Sequence, residues 1–343
     1  NTTDYSKSDS LLSEEDFMKN FIGIFIFLLL VNVLVPVAYS KIYSVIPIEE
    51  SKLSEKQQNP TNTSEEKVSL YDTQTNSLIE LSLEDYLIGA AACEMPALYE
   101  ENAIKAQMIA IHSYYLYCKE NPESLEKGYI EINEKSLKGY ASQARLMEFW
   151  QMDYYDYYSK FKRCANEVID KILVYENKPA MAVYHAVSCG KTADSNDIWG
   201  RSLPYLISVD STYDQVSDNY LKIKEIDKST MFSLLSIKYP NIKLNEDNPD
   251  EWFGNVIYTD SGYASYVEIG GDMVPAGQIR DILGLQSTCL MVFYEEDTFS
   301  IATKGYGHGV GLSQYGANRM SAQGKSYTEI LQHYYPGTTI EKI

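Results

Sequence analysis

The run "FIGIFIFLLLVNVLVPVA", Phe21 to Ala38, constrains this chain more than any other stretch, because no face of it suits contact with water. Its only polar side chain is Asn32, whereas an amphipathic core helix would carry polar positions along one side. As a helix it would extend about 27 Å, close to the least that spans a hydrocarbon core. The reading is a single-pass anchor over residues 21–39, preceded by a short segment, 1–20, with the bulk of the chain outside the cytoplasm. Lys19 and Lys41 flank the run on opposite sides, so charge casts a weak vote on orientation. Ala38-Tyr39-Ser40 also fits a small-x-small cleavage site, which keeps a cleaved signal sequence as the alternative.

Residues 40–75 read as a polar linker, since "EESKLSEKQQNPTNTSEEKVSLYDTQT" (49–75) is almost free of large apolar groups. A domain over 76–343 follows. It opens with a strand at Leu78–Leu81 and a helix capped by Ser82 and Asp85, with Leu83, Tyr86, Leu87 and Ala90 at helical spacing. Glu101–Cys118 is a second helix and Ala141–Ile169 a third helical zone. Then the period changes. Ile172–Tyr175, a turn with Asn177 and Pro179, and Ala180–Val187 read as a hairpin. "YASYVEIGG", "CLMVFYEEDTFSIATKG" and "YPGTTI" are strand-like, while "SLLSIKYP", "QIRDILGL" and "YTEILQHYY" look helical. Helices first and strands mixed later predict an α+β domain rather than a doubly wound sheet.

A formal charge of -19 argues against binding nucleic acid, whose phosphates need Lys and Arg to displace counterions. Thirty tyrosines exceed what core packing needs, and a tyrosine's apolar face with its polar tip suits sugar rings. Five cysteines lie scattered without a C-x-x-C, and read as isolated buried thiols rather than a disulfide framework, with room for one bridge.

Three blocks could carry chemistry. Glu94 falls at the C-terminal end of the first helix, where Pro96 forces the chain out of helical geometry. The negative end of the helix dipole and the apolar neighbours Ala91, Ala92 and Met95 should both raise its pKa, the condition a general acid needs near neutral pH. In "VYHAVSCGKTADS" a strand carrying His185 runs into Ser188-Cys189-Gly190-Lys191-Thr192. Continued as a strand, it would hold His185 and Cys189 about 13 Å apart and turn Ser188 to the other face, so neither makes a catalytic pair. A phosphate loop fails too, because His185 stands where its first glycine belongs. In "GYGHGVGLSQYGANRM" the glycines at 305, 307, 309 and 311 let the backbone approach something closely, and His308 and Gln314 offer hydrogen bonds. A dinucleotide site would need a following βαβ unit, for which the chain has no room. Four histidines without H-E-x-x-H predict no metal, and nothing calls for a cofactor.

Together, "CEMPALYEENAIKAQMIA", "VYHAVSCGKT", "LPYLISV", "QIRDILGL" and "YGHGVGLSQYGA" resemble, in order, the stage II sporulation protein D family of endospore-forming bacteria. That resemblance implies a peptidoglycan lytic transglycosylase with Glu94 as catalytic acid. It implies His112, Ser188, Lys191, Tyr205, His308 and Gln314 as residues around the glycan. It further implies partnership with a sporulation amidase and endopeptidase and with a membrane scaffold, and action from the mother-cell membrane into the intermembrane space during engulfment. A noncatalytic enhancer of an amidase is the competing class. His112 stands where the family commonly has Arg, and Cys189 where it has Gly. The metal that some members hold through a Cys pair is not carried over, because no cysteine lies between Cys118 and Cys164.

Overall fold

The computed structural model describes residues 67–343. The anchor expected over 21–39 and the segment before it therefore lie outside the described residues. Among the described residues no helix is long and apolar enough to cross a membrane.

The domain starts earlier than the polar composition suggested. Lys67–Asp72 is strand β1, antiparallel to β2, Ser77–Ser82, so the expected linker over 40–75 gives up its last part to the fold. Val68 and Leu70 point inward with no exposure, and Asp72 closes the turn by accepting from Gln74 N at 2.9 Å and Thr75 Oγ1 at 2.7 Å. Ser82 then caps α1, Leu83–Glu94, accepting from Asp85 N at 3.1 Å. Helix α2, Glu101–Glu120, is the axis of the first core; α1 and two further helices, α3 (Gln143–Trp150) and α4 (Tyr154–Val168), belong to that core, and α4 packs on both α1 and α2. The single helical zone expected over Ala141–Ile169 is thus broken, at Gln151, whose φ of 49° no helix tolerates.

A two-residue strand β3, Glu131–Ile132, pairs parallel with β1. Strands β4, Lys171–Tyr175, and β5, Lys178–Pro179, meet through Glu176 and Asn177, both left-handed, as a tight hairpin requires. The expected second arm, Ala180–Val187, is not one strand. Ala182 N bonds back to Ala180 O and Val183 N to Met181 O, and the segment pairs only at Tyr184–His185, β6, and through a single bridge of Val187 to Tyr306. A short helix α5, Ser195–Trp199, is capped by Asp194 and ended by left-handed Gly200.

A second core follows. It joins β7 (Leu221–Asp227), α6 (Lys228–Lys238), β8 (Phe253–Tyr258), β9 (Ala264–Ile269), β10 (Asp272–Pro275), α7 (Ala276–Leu283), β11 (Leu290–Glu295) and β12 (Thr298–Lys304). Two antiparallel sheets, ordered β10-β9-β8 and β11-β12-β7, close on Trp252 and Phe299, whose rings stack at 5.4 Å. The chain returns to the first core through β13, Leu312–Ser313, parallel to β6, then α8 (Gln314–Ala322), α9 (Tyr327–Tyr334) and β14, Thr339–Lys342, antiparallel to β4. The fold is α+β.

What the glycine-rich run approaches is the chain itself. Gly305, Gly307 and Gly311 lie against residues 183–188 and Gly309 against the Tyr263 ring, and all four have positive φ. A Cβ at Gly311 would stand 2.1 Å from the carbonyl oxygen of Val183, and one at Gly305 would stand 2.8 Å from that of Val187. Gly311→Ala combines that clash with a φ of 74°, and is expected to cost about 3 kcal/mol or more in urea unfolding. A loss below about 1 kcal/mol would show that the two segments are free to separate.

Candidate active site

Glu94 is the last residue of α1. Met95 is extended, as Pro96 demands, while its N–H still bonds to Ala91 O at 2.9 Å. The turn beyond is pinned from two sides. Lys160 of α4 donates through Nζ to the carbonyls of Ala97, at 2.9 Å, and Tyr99, and Asn318 of α8 accepts the Glu100 N–H at 2.8 Å. These contacts fix Glu94 and Tyr99 on one wall of a cleft of about 340 Å³ whose other walls include Tyr306, Gln314 and Tyr315. Asp218 stands exposed at its rim.

Burial pushes the Glu94 carboxyl above its usual 4.5, and the Gln314 amide, donating from Nε2 at 3.3 Å, pulls the other way without cancelling the shift. Gln314 owes its place to a buried carboxylate that sequence reasoning missed. Asp214 has no exposure; it receives the Ser188 N–H at 2.8 Å and the Ser188 hydroxyl, the Ser211 hydroxyl at 3.0 Å and the Ser313 hydroxyl at 2.8 Å. Burial pushes this carboxyl up, and those donors pull it back only in part. Ser313 in turn caps α8 by accepting Gly316 N at 3.2 Å, and α8 begins with Gln314. Gly316 has to be glycine: a Cβ there would meet the Tyr334 hydroxyl at 2.0 Å and Ser211 Oγ at 2.7 Å, two groups bonded to each other at 2.8 Å.

The expected site residues separate into three groups. Gln314 shares the cleft with Glu94. Ser188 is wholly buried and holds the wall through Asp214 rather than facing the cleft. The others do not line it. His112 is 1% exposed inside the α2 core. Lys191 is exposed, its backbone bridged to Asp210. Tyr205 is buried, accepting the Met181 N–H at 2.9 Å and packed on Tyr175 at 4.9 Å, beside a separate surface pocket. His308 lies between the rings of Trp199 (5.2 Å) and His185 (5.9 Å), and its Nδ1 accepts Val310 N at 3.1 Å. Burial lowers His308 to about 4 and His185 to about 3, so both are neutral at neutral pH. The tyrosines at 99, 306 and 315 were missed. Only Tyr306, set between two glycines of the run and 46% exposed, carried a local signal.

The site is thus one desolvated carboxylate in a tyrosine-walled cleft of an α+β domain, and comparison of the sequence with known proteins places the chain in a family. The family model described as Stage II sporulation protein matches residues 71–175, which include Glu94. Over 278 residues the chain is 32% identical to Stage II sporulation protein D of Bacillus amyloliquefaciens, covering 80% of this chain and 78% of that one. The corresponding protein of Bacillus subtilis (strain 168) is 31% identical over 277 residues, 80% and 79% of the two chains. An amidase enhancer of the same strain is 26% identical over 301 residues, 74% of this chain and 40% of its own length. The chain belongs to the stage II sporulation protein D family.

Two variants test the site's construction. Asp214→Ala strands its serine donors in the interior and is expected to cost about 3 kcal/mol in chemical unfolding; a cost under about 1 kcal/mol would contradict the network. Glu94→Gln probes the raised pKa. The unfolded chain releases this proton near 4.5 and the folded protein holds it to higher pH, so the stability Glu94 contributes is complete below 4.5 and lost as pH rises through the folded value. The variant should therefore melt at about the wild-type temperature in acid and above it at neutral pH. A variant less stable than wild type at neutral pH would contradict the desolvation argument.

Proposed function

We propose that this protein is a lytic transglycosylase that cleaves peptidoglycan glycan strands between N-acetylmuramic acid and N-acetylglucosamine, leaving a 1,6-anhydro end. The observation that carries the reading is Glu94, a lone desolvated carboxylate poised above the ordinary carboxyl range at the wall of the cleft. Protonated, Glu94 delivers its proton to the glycosidic oxygen as the bond to the anomeric carbon breaks. The resulting carboxylate takes the proton of the sugar's own 6-hydroxyl as that oxygen closes on the anomeric carbon. One proton enters and one returns, so no second carboxylate and no water are consumed, unlike glycoside hydrolysis. A pKa near the working pH serves both halves. Tyr99, Tyr306 and Tyr315 offer ring faces to sugars, and Gln314 is in reach of both Glu94 and a substrate acetamido or hydroxyl group.

In this reading the apolar run at 21–38 anchors the domain to the membrane, so that it works outside the cytoplasm during engulfment, beside an amidase and endopeptidase that strip stem peptides. A second reading has one observation behind it. A relative is named as an amidase enhancer, and a noncatalytic enhancer would bind glycan and leave it uncut. Digestion of purified glycan strands separates them. Wild type is expected to release anhydromuramic ends seen by mass spectrometry, Glu94→Gln to lose at least about 100-fold of that rate, and Asp218→Asn still to give the anhydro product. Intact strands after wild-type treatment would favour the enhancer. Reducing ends that vanish in Asp218→Asn would mark a two-carboxylate hydrolase.

A further inference from the structure

The substrate of the proposed reaction carries a charge that the Glu94 cleft has nothing to meet. An amidase that removes a stem peptide cuts an amide on the lactyl ether of N-acetylmuramic acid and leaves a free carboxylate there, so every second sugar of a stripped strand is an anion. The cleft is lined by Glu94 and Asp218 and by no lysine or arginine. Two cations stand together elsewhere, at the pocket beside Tyr205.

That pocket, of about 380 Å³, is built from three pieces of chain: the C-terminal end of α2, the β4–β5 hairpin and the loop after α5. Tyr117 and Tyr205 are its buried lining, and Tyr175 is half-buried with its ring packed on Tyr205 at 4.9 Å. The Tyr117 hydroxyl has no hydrogen-bond partner, which is rare for a buried polar group. The frame is fixed. Left-handed Glu176 and Asn177 set the hairpin, and Ser195 ties the loop by donating its N–H to Leu206 O at 2.9 Å and accepting Leu203 N at 3.1 Å. Arg201 of the loop and Lys178 of the hairpin are both exposed, and among the described residues no ion pair holds either. Glu120 and Glu176 complete the charged lining, so the pocket is neutral in sum on a chain of formal charge -19.

We propose that this pocket is a second glycan subsite, which takes one N-acetylmuramic acid residue of a stripped strand with its lactyl carboxylate on Arg201 and Lys178 and its sugar ring against Tyr175. The Arg201 guanidinium presents a planar fork that matches a carboxylate, and Lys178 adds a second positive charge. Glu120 and Glu176 accept the sugar's hydroxyls. The two acids also set the selectivity: a polyanion is repelled, whereas a sugar with one carboxylate and several hydroxyls satisfies both signs. Helix α2, twenty residues long, runs about 30 Å from the turn that carries Tyr99 to the pocket end at Tyr117–Glu120. The subsite therefore holds a strand without touching the reacting atoms, and a strand that fills it together with the cleft binds more tightly than a short one.

The identity of this ligand rests on the transglycosylase reading, so the test reads binding apart from cleavage. The full chain carrying Glu94→Gln, in which bound strands stay whole, is titrated by calorimetry with glycan strands freed of stem peptides and, separately, with N-acetylglucosamine oligomers of matched length, which lack the carboxylate. Adding Arg201→Gln and Lys178→Gln to this parent is expected to weaken binding of the stripped strands about 10-fold and to leave binding of the oligomers unchanged. Added salt should weaken the stripped strands in the parent more than in the variant without the two cations. Tyr175→Leu should weaken both ligands, since both offer a sugar ring. Equal affinity for stripped strands with and without the two cations, an equal loss for the two ligands, no loss in Tyr175→Leu, or binding of neither ligand would each overturn the subsite. Strands that bind through Arg201 and Lys178 yet stay uncut by the wild type would instead sink the transglycosylase and leave the subsite standing.

Discussion

The interaction on which the site depends is the burial of the Asp214 carboxylate. A buried carboxylate is costly unless every oxygen is satisfied, and the donors that satisfy this one are neutral: Ser188, Ser211 and Ser313. Each comes from a different stretch of chain. Ser188 belongs to the segment that forms one wall of the cleft, Ser211 is tied to the α9 residue Tyr334, and Ser313 caps α8. Loss of the carboxylate would free all three at once. With it in place, α8 can begin only where it does, which sets Gln314 against Glu94 and Asn318 against the turn that carries Tyr99.

Much of this was legible where the deciding physics is local. Ser82 at the start of α1, Pro96 just past its end and the apolar spacing of Glu101–Cys118 are short-range signals, and each element stands where they put it. The direction of the Glu94 shift followed from its apolar neighbours, and burial is the cause observed. Strand β1 was hidden because Val68 and Leu70 alternate within a stretch that is otherwise polar, and only a paired β2 makes that alternation count. Ala180–Val187 has strand-like composition, yet its neighbour is the glycine-rich run, which offers only Leu312–Ser313 and an isolated bridge at Tyr306 for pairing. Asp214 has one local donor, Ser211, which alone does not mark a buried carboxylate. Its donors Ser188 and Ser313 stand 26 and 99 residues away in the chain, a distance that spacing rules do not cross.

The same logic sorts the residues that resemblance alone suggested around the glycan. His112 lies on the inward face of α2, so the position where the resemblance led to the expectation of an arginine is here part of the core. Cys189, where the resemblance led to the expectation of a glycine, packs against the first core and donates its thiol to the Ser261 carbonyl at 3.2 Å. The glycine-rich run, which first suggested a ligand loop, packs against residues 183–188 and exposes Tyr306 to the cleft. Its function at the site is thus to let two backbones touch and to turn one aromatic ring outward.

The central claim is that Glu94 alone manages both proton transfers and that the attacking oxygen comes from the sugar. Digestion of glycan strands in water enriched with a heavy oxygen isotope tests it most directly. The account predicts anhydro products that carry no label, because no water oxygen enters the new bond. Label at the newly formed ends would contradict it and make water the nucleophile.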